Sequence, residues 1–112
     1  MAMISWEDFE KIDIRVGTII EVSDFKEARK PAYKLLIDFG DDLGNKKSSA
    51  QIKDLYSIED LINKQVICVV NLPPKQVGPF ISECLVTGLI LESGKVVLVS
   101  PEVKVPNGLK LS

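Results

Sequence analysis

Apolar and polar residues alternate in parts of this chain, at the period of two that marks half-buried strands. Asp13 to Phe25 reads as a first strand. Ile14, Val16, Thr18, Ile20 and Val22 fall on one face, with Arg15, Gly17, Ile19 and Glu21 on the other. Gly17 inside that strand points to a bulge or a close backbone approach. Tyr33 to Phe39 is a second strand, with Leu35, Ile37 and Phe39 facing in. Lys46 to Ile52 is a third, short and polar, and Gln65 to Leu72 a fourth, almost wholly apolar. Ser82 to Leu91 is a fifth, followed by a short strand at Val96 to Val99.

Between the strands lie a charged connection (Lys26 to Pro31), a turn cluster (Gly40 to Asn45) and a proline-bearing loop (Pro73 to Ile81). Two places show a helix-start pattern. Ser5 with Asp8, and Ser57 with Asp60, each set a capping hydroxyl three residues before an acid. Trp6, Phe9 and Ile12 would line one side of the first helix, which therefore needs an apolar surface to lie on.

Three strands, a short helix and two strands is the element order of an OB-fold. The fold expected is all-β: a five-stranded Greek-key barrel with a short helix between strands 3 and 4. An N-terminal helical extension (1–12) and a C-terminal tail (101–112) flank it, and residues 1–112 form one domain. The fourth strand sets Val66, Cys68 and Val70 on one face and Ile67 and Val69 on the other. A small barrel has one inside, so the outer apolar face calls for a cover. The N-terminal helix can supply part of it and a second copy the rest, which is the pattern of a homodimer.

Composition narrows the chemistry. The 112 residues contain no histidine, which excludes Ser-His-Asp and Cys-His catalysis, His-ligated zinc and the usual pH switch. No Walker or dinucleotide fingerprint is present, and Asp41-Asp42 alone is a poor metal site. The expectation is a binding protein without catalytic residues, metal or cofactor. Cys68 and Cys84 sit in apolar runs without charged activators, as buried inert thiols do, which fits a reducing cytosol. Met1 to Asp8 lacks the basic flank and apolar core of a signal peptide, and no apolar run is long enough to span a membrane.

Net charge is −2, unevenly placed. Residues 1–25 carry six acids against two cations, whereas residues 26–53 carry seven cations against four acids. The middle of the chain can thus give one positive face to an acidic protein.

Several segments, in this order and spacing, resemble a known family. They are Asp13-Ile14-Arg15-Val16-Gly17, Lys34 to Gly40, Lys46-Lys47-Ser48-Ser49-Ala50-Gln51-Ile52, Val69 to Lys75, Ser82-Glu83 and Val105-Pro106-Asn107-Gly108. The set resembles the tRNA-binding domain appended to some methionyl-tRNA synthetases, which also occurs as free-standing dimers. The Ser48-Ser49-Ala50-Gln51-Ile52 version and the terminal extensions look most like the CsaA-type bacterial secretion chaperones within that family. The resemblance implies a homodimeric OB-fold chaperone, built through its extensions. Its implied partners are unfolded preproteins, the SecA translocation motor and, as the alternative function, structured tRNA.

OB-folds bind ligands around the second and third strands and their flanking loops. Lys34, Lys46, Lys47, Ser48, Ser49 and Gln51 are therefore the leading candidates for a peptide or RNA surface. Lysines suit phosphates, and serine and glutamine suit backbones of either kind. The competing reading is a solvated polar strand. Arg15 is a further candidate, set against a structural ion pair with Asp13 or Glu83. Asn71, Ser82 and Glu83 match positions the family uses around its groove, set against hydrogen bonds that fix the proline loop. Lys75 is a loop cation able to reach either ligand. The third strand has no aromatic, so base-stacking recognition of single strands is disfavoured.

Overall fold

A computed structural model describes residues 1–112. In chain order it runs α1 (Trp6–Glu10), β1 (Ile14–Asp24), β2 (Tyr33–Asp38), β3 (Asn45–Ala50), α2 (Ile58–Leu61), β4 (Gln65–Val69), β5 (Lys75–Val77), β6 (Phe80–Ser82), β7 (Leu85–Val86), β8 (Gly88–Ile90) and β9 (Val96–Leu98). Five strands form one antiparallel sheet in the order β3-β2-β1-β4-β7. The sheet curls until its ends meet. The Glu83 N–H donates to the Lys47 carbonyl at 2.7 Å, tying β3 to the segment entering β7. This is the expected OB-type barrel, all-β, with α2 between β3 and β4. Both helices carry the capping box, in which Ser5 and Ser57 accept from Asp8 and Asp60 N–H. Leu61 of α2 is fully buried and stops one end of the core.

β1 corrects the face assignment. Ile19 and Gly17 face inward with Val22, while Ile14, Val16 and Thr18 lie on the other side. Two causes combine. Only a residue without Cβ fits at 17, because a Cβ there would lie 2.6 Å from Ile37 Cγ2 and 2.8 Å from the Phe39 ring. The bulge comes later, between Ile19 and Glu21, and restores Val22 to the inside. Val16 is nonetheless buried, since the C-terminal tail covers it.

That tail is more than an extended coil. The Val16 N–H donates to the Leu109 carbonyl, Gly108 N–H to Val16, and Leu111 N–H to Ile14. It thus occupies the edge of early β1 opposite β4, while β2 pairs with β1 from Thr18 onward. The side chains of Gln65, Thr18 and Asn107 pin it there. Gln65 brackets Val105 with bonds of 2.7 and 3.0 Å, and Thr18 Oγ1 donates to Asn107 Oδ1 at 2.7 Å.

Two other segments differ from expectation. Residues 73–81 are not an open loop, because Lys75–Val77 and Phe80–Ser82 pair as a hairpin about Gly78-Pro79. Gly78 supplies the positive φ (57°) of the turn. Strands of three residues show too little alternation to be read. The fifth strand also divides: Thr87 N–H and Oγ1 both donate to the Ile67 carbonyl, and the chain then leaves the barrel as the β8-β9 ribbon.

Helix α1 buries none of its residues. Trp6 stays 84 % exposed, so the surface that its apolar side needs is not supplied by its own chain. Met3, Ile4, Val103 and Leu111 of the two extensions are exposed as well. No helix is long and apolar enough to cross a membrane.

Candidate functional site

The geometry around β3 follows from strand alternation. Lys46, Ser48 and Ala50 point to the barrel side, and Lys47 and Ser49 to the outer side beside Lys34 and Leu36 of β2. Ser48 is only 1 % exposed, and its hydroxyl donates to the Cys84 carbonyl at 2.9 Å. This corrects its place among the surface candidates, for its oxygen is spent inside the core.

The outer lysines gather on an aromatic pair. Phe25 and Phe80 rings are 5.4 Å apart. Lys34 Nζ lies 5.7 Å from the centre of Phe25, and Lys47 Nζ 5.5 Å from that of Phe80. Such stacking holds the ammonium groups without neutralising them. The ion pairs of the chain are Lys11–Asp8, Arg15–Asp13 and Lys53–Asp24. Lys34, Lys46, Lys47 and Lys75 are thus free cations.

Four other candidates are held by bonds within the chain. Arg15 pairs with Asp13 at 2.6 Å and donates to the Gly108 carbonyl at 3.0 Å, so it clamps the tail to β1. Asn71 accepts from the Asp13 N–H at 2.9 Å and donates to the Lys11 carbonyl at 2.6 Å, fixing the α1 extension to the end of β4. Glu83 Oε1 accepts from the Lys47 N–H at 2.9 Å. Ser82 Oγ accepts from the Ser49 N–H at 3.3 Å. Ser82 and Glu83 therefore take the place of a neighbouring strand along part of the β3 edge.

Beyond Ser82 the edge is uncovered, and there a cleft of about 940 Å³ opens. Its walls are the end of β3 with the two residues after it (Ser49 to Ile52), the β5-β6 hairpin and the chain from Cys84 to Ile90. Of the predicted residues, Ser49, Gln51, Lys75 and Ser82 line it; Lys34, Lys46, Lys47, Ser48, Asn71, Glu83 and Arg15 do not. Arg29 and Lys30 line it too, and were not singled out from the sequence. Their signal was the cationic excess of residues 26–53, but only the fold brings that connection to the cleft. Val77, Val86, Ile90 and Leu98 give the walls apolar character. The one aromatic among the lining residues, Phe25, is itself buried.

Cys84 belongs to this wall and Cys68 faces it from the core; both are free and buried. The facing Cys84 thiol and burial push the Cys68 thiol far above the usual range. No cluster of three or more His, Cys, Asp or Glu side chains is placed to hold a metal ion.

The chain is thus an OB barrel with a cationic outer face on β2-β3 and a cleft beside it. The family described as "Putative tRNA binding domain" matches residues 14–110, and the chain belongs to it. Within that family the chain is CsaA-like. It is 59 % identical to the CsaA chaperone protein of Picrophilus torridus, with a TM-score of 0.91 over 98 % of this chain and 100 % of that one. It is 53 % identical to the chaperone CsaA of Bacillus anthracis, with a TM-score of 0.94 over 99 % of this chain and 100 % of that one. A methionine–tRNA ligase of Pyrococcus furiosus is 36 % identical across 114 residues, which take in 99 % of this chain and 15 % of the ligase. The chain therefore spans about 15 % of the length of that curated relative.

Proposed function

We propose that this chain is an ATP-independent chaperone of the cytoplasm, which holds unfolded or export-bound polypeptides and passes them to the secretion machinery, SecA included. The observation that carries the reading is the cleft beside β3. It joins apolar walls to unpaired Arg29, Lys30 and Lys75 and offers no exposed aromatic platform for bases. Such a lining suits side chains and backbone of a polypeptide better than stacked nucleotides. The full-length likeness to two CsaA chaperones supports it. The function is one of binding, with no bond made or broken.

The working unit is a homodimer. Its support is the exposed apolar surface of both extensions, Trp6, Met3 and Ile4 at one end and Val103 and Leu111 at the other. Two clefts on one dimer would add avidity for a client long enough to reach both. Deleting residues 1–11 and the tail after Pro101 is expected to yield monomer or aggregate in light scattering. A monodisperse, folded dimer after both deletions would refute this assembly.

The test of the chaperone reading is suppression of client aggregation. Wild-type protein near stoichiometry should keep several chemically unfolded clients in solution without nucleotide. Failure with all of them removes the reading.

A second reading is docking on structured tRNA. The family match and the ligase relative favour it, as do the free Lys34 and Lys47 on the outer β2-β3 face. The overall charge of −2 opposes tight RNA affinity at physiological salt, where phosphate neutralisation supplies most of the binding.

A further inference from the structure

The edge of β3 changes character along its length. Lys47 gives its N–H to the Glu83 carboxylate and its C=O to the Glu83 N–H. Ser49 gives its N–H to the Ser82 hydroxyl. From that point the edge is bare. The Ser49 carbonyl has only a 3.4 Å contact from the Ser48 hydroxyl, which donates at 2.9 Å to Cys84. Neither the N–H nor the C=O of Gln51 has a partner in the chain, and Gln51 is exposed. These three groups sit on the wall of the cleft, which both Ser49 and Gln51 line. Unpaired edge groups beside an open groove are what an extended peptide needs to join a sheet.

We infer that the cleft takes its occupant by strand addition: an extended, unfolded polypeptide segment pairs antiparallel with Ser49 at the β3 edge and with Gln51, the residue that follows the strand. The inference rests on the reading of this cleft as a polypeptide site. One residue of the segment exchanges both backbone bonds with Gln51. The residue two further on donates its N–H to the Ser49 carbonyl. The residue between them turns its N–H away, as antiparallel alternation requires. Ser82 stops the ladder by holding the Ser49 N–H, and Glu83 keeps the Lys47 end closed, so only a short stretch of any client is paired.

Side-chain preference follows from the walls. One face of the added strand meets Ile52, Val86 and Leu98, and the cations Arg29, Lys30 and Lys75 stand within the same cleft. The lining holds a single acid, Glu27. The segment that fits is therefore alternately apolar and acidic. Backbone pairing explains how one site accepts many sequences: the bonds are to groups every residue carries, and the charge only biases the choice.

The test is an N-methyl scan. A fluorescein-labelled nine-residue peptide alternating leucine and glutamate is titrated by anisotropy, alongside derivatives methylated at one backbone nitrogen each. Methylation at the two positions that face Gln51 and Ser49 should weaken binding about tenfold or more, and methylation between them less than about twofold. Slowed exchange of the Gln51 amide hydrogen on binding should accompany this. If the parent peptide binds and every methylated form binds equally, strand addition is overturned while the cleft remains a polypeptide site. If the parent does not bind at all, both fall. A Lys75→Glu variant separates charge from pairing: it should weaken the parent and leave the alternation of the scan unchanged.

Discussion

Gly17 lies directly beneath Phe39: a Cβ built on residue 17 would stand 2.8 Å from two carbons of the ring, and 2.6 Å from Ile37 Cγ2. Real side chains do not approach so closely, and Phe39 and Ile37 are fully buried with nowhere to retreat. Gly17→Ala should therefore cost about 1–3 kcal/mol, the range for overfilling a packed core. The check is a urea transition whose midpoint falls while its slope stays constant. An unchanged midpoint would mean that β1 shifts freely against β2.

The acid limb of stability should depend on two exposed carboxylates. The Ser57 backbone N–H, then its hydroxyl, hold Asp60 below the usual aspartate range. The Lys53 ammonium bonded to Asp24 does the same there. A carboxylate whose pKa is lowered in the folded state stabilises the fold above its unfolded value and loses that contribution as pH falls through the folded one. The contribution should be full above about pH 5 and fade below about pH 4. Asp60→Asn combined with Asp24→Asn should flatten the loss of thermal midpoint across that window; an unaltered acid limb would assign it to other groups.

Cys68 and Cys84 should be silent in the native protein. Both are buried and so shielded from a reagent; Cys68 is also held as the thiol, while the facing Cys68 thiol pulls Cys84 below its usual range, leaving burial as its protection. A chromogenic disulfide reagent at neutral pH should react with neither until guanidinium unfolds the chain, and then with both. Rapid reaction in native buffer would show that the wall of the cleft opens.

If the outer face of β2-β3 meets RNA, its lysines should carry the salt dependence. Lys34→Gln with Lys47→Gln should weaken tRNA binding and reduce the slope of log K against log salt by roughly 1.5–2. Lys46→Gln should have a smaller effect, since Lys46 points to the barrel side. Identical slopes for the double variant and wild type would take the RNA contact off this face.

Much of the architecture was legible because its signals are local. The capping serines 5 and 57 act over three residues, and both helices start where they mark. Leu35, Ile37 and Phe39 recur at every second position and enter the core as expected. β1 misled because Ile19 and Ile20 are adjacent and equally apolar, so alternation alone does not say which faces in, and the register had to be set by the partner strand and by the bulge. The candidate site was legible only in outline. Arg15, Asn71, Ser82 and Glu83 are polar side chains on or near strand ends, which suits a ligand contact and a structural bond equally. Their partners lie two to ninety-three residues away, and mostly across the barrel.

The sequence by itself determined the order of the barrel strands and the two helices, the free thiols, the cationic middle and the family, because these depend on neighbouring residues or on their linear pattern. Only the tertiary structure decided which groups remain free. It turned Ser48 inward, spent Ser82 and Glu83 on the β3 edge, wrapped the tail along β1 and brought Arg29 and Lys30 to the cleft. The physical reason is that a backbone edge or a charge becomes a binding site by lacking a partner, and partners are assigned when distant segments close the barrel.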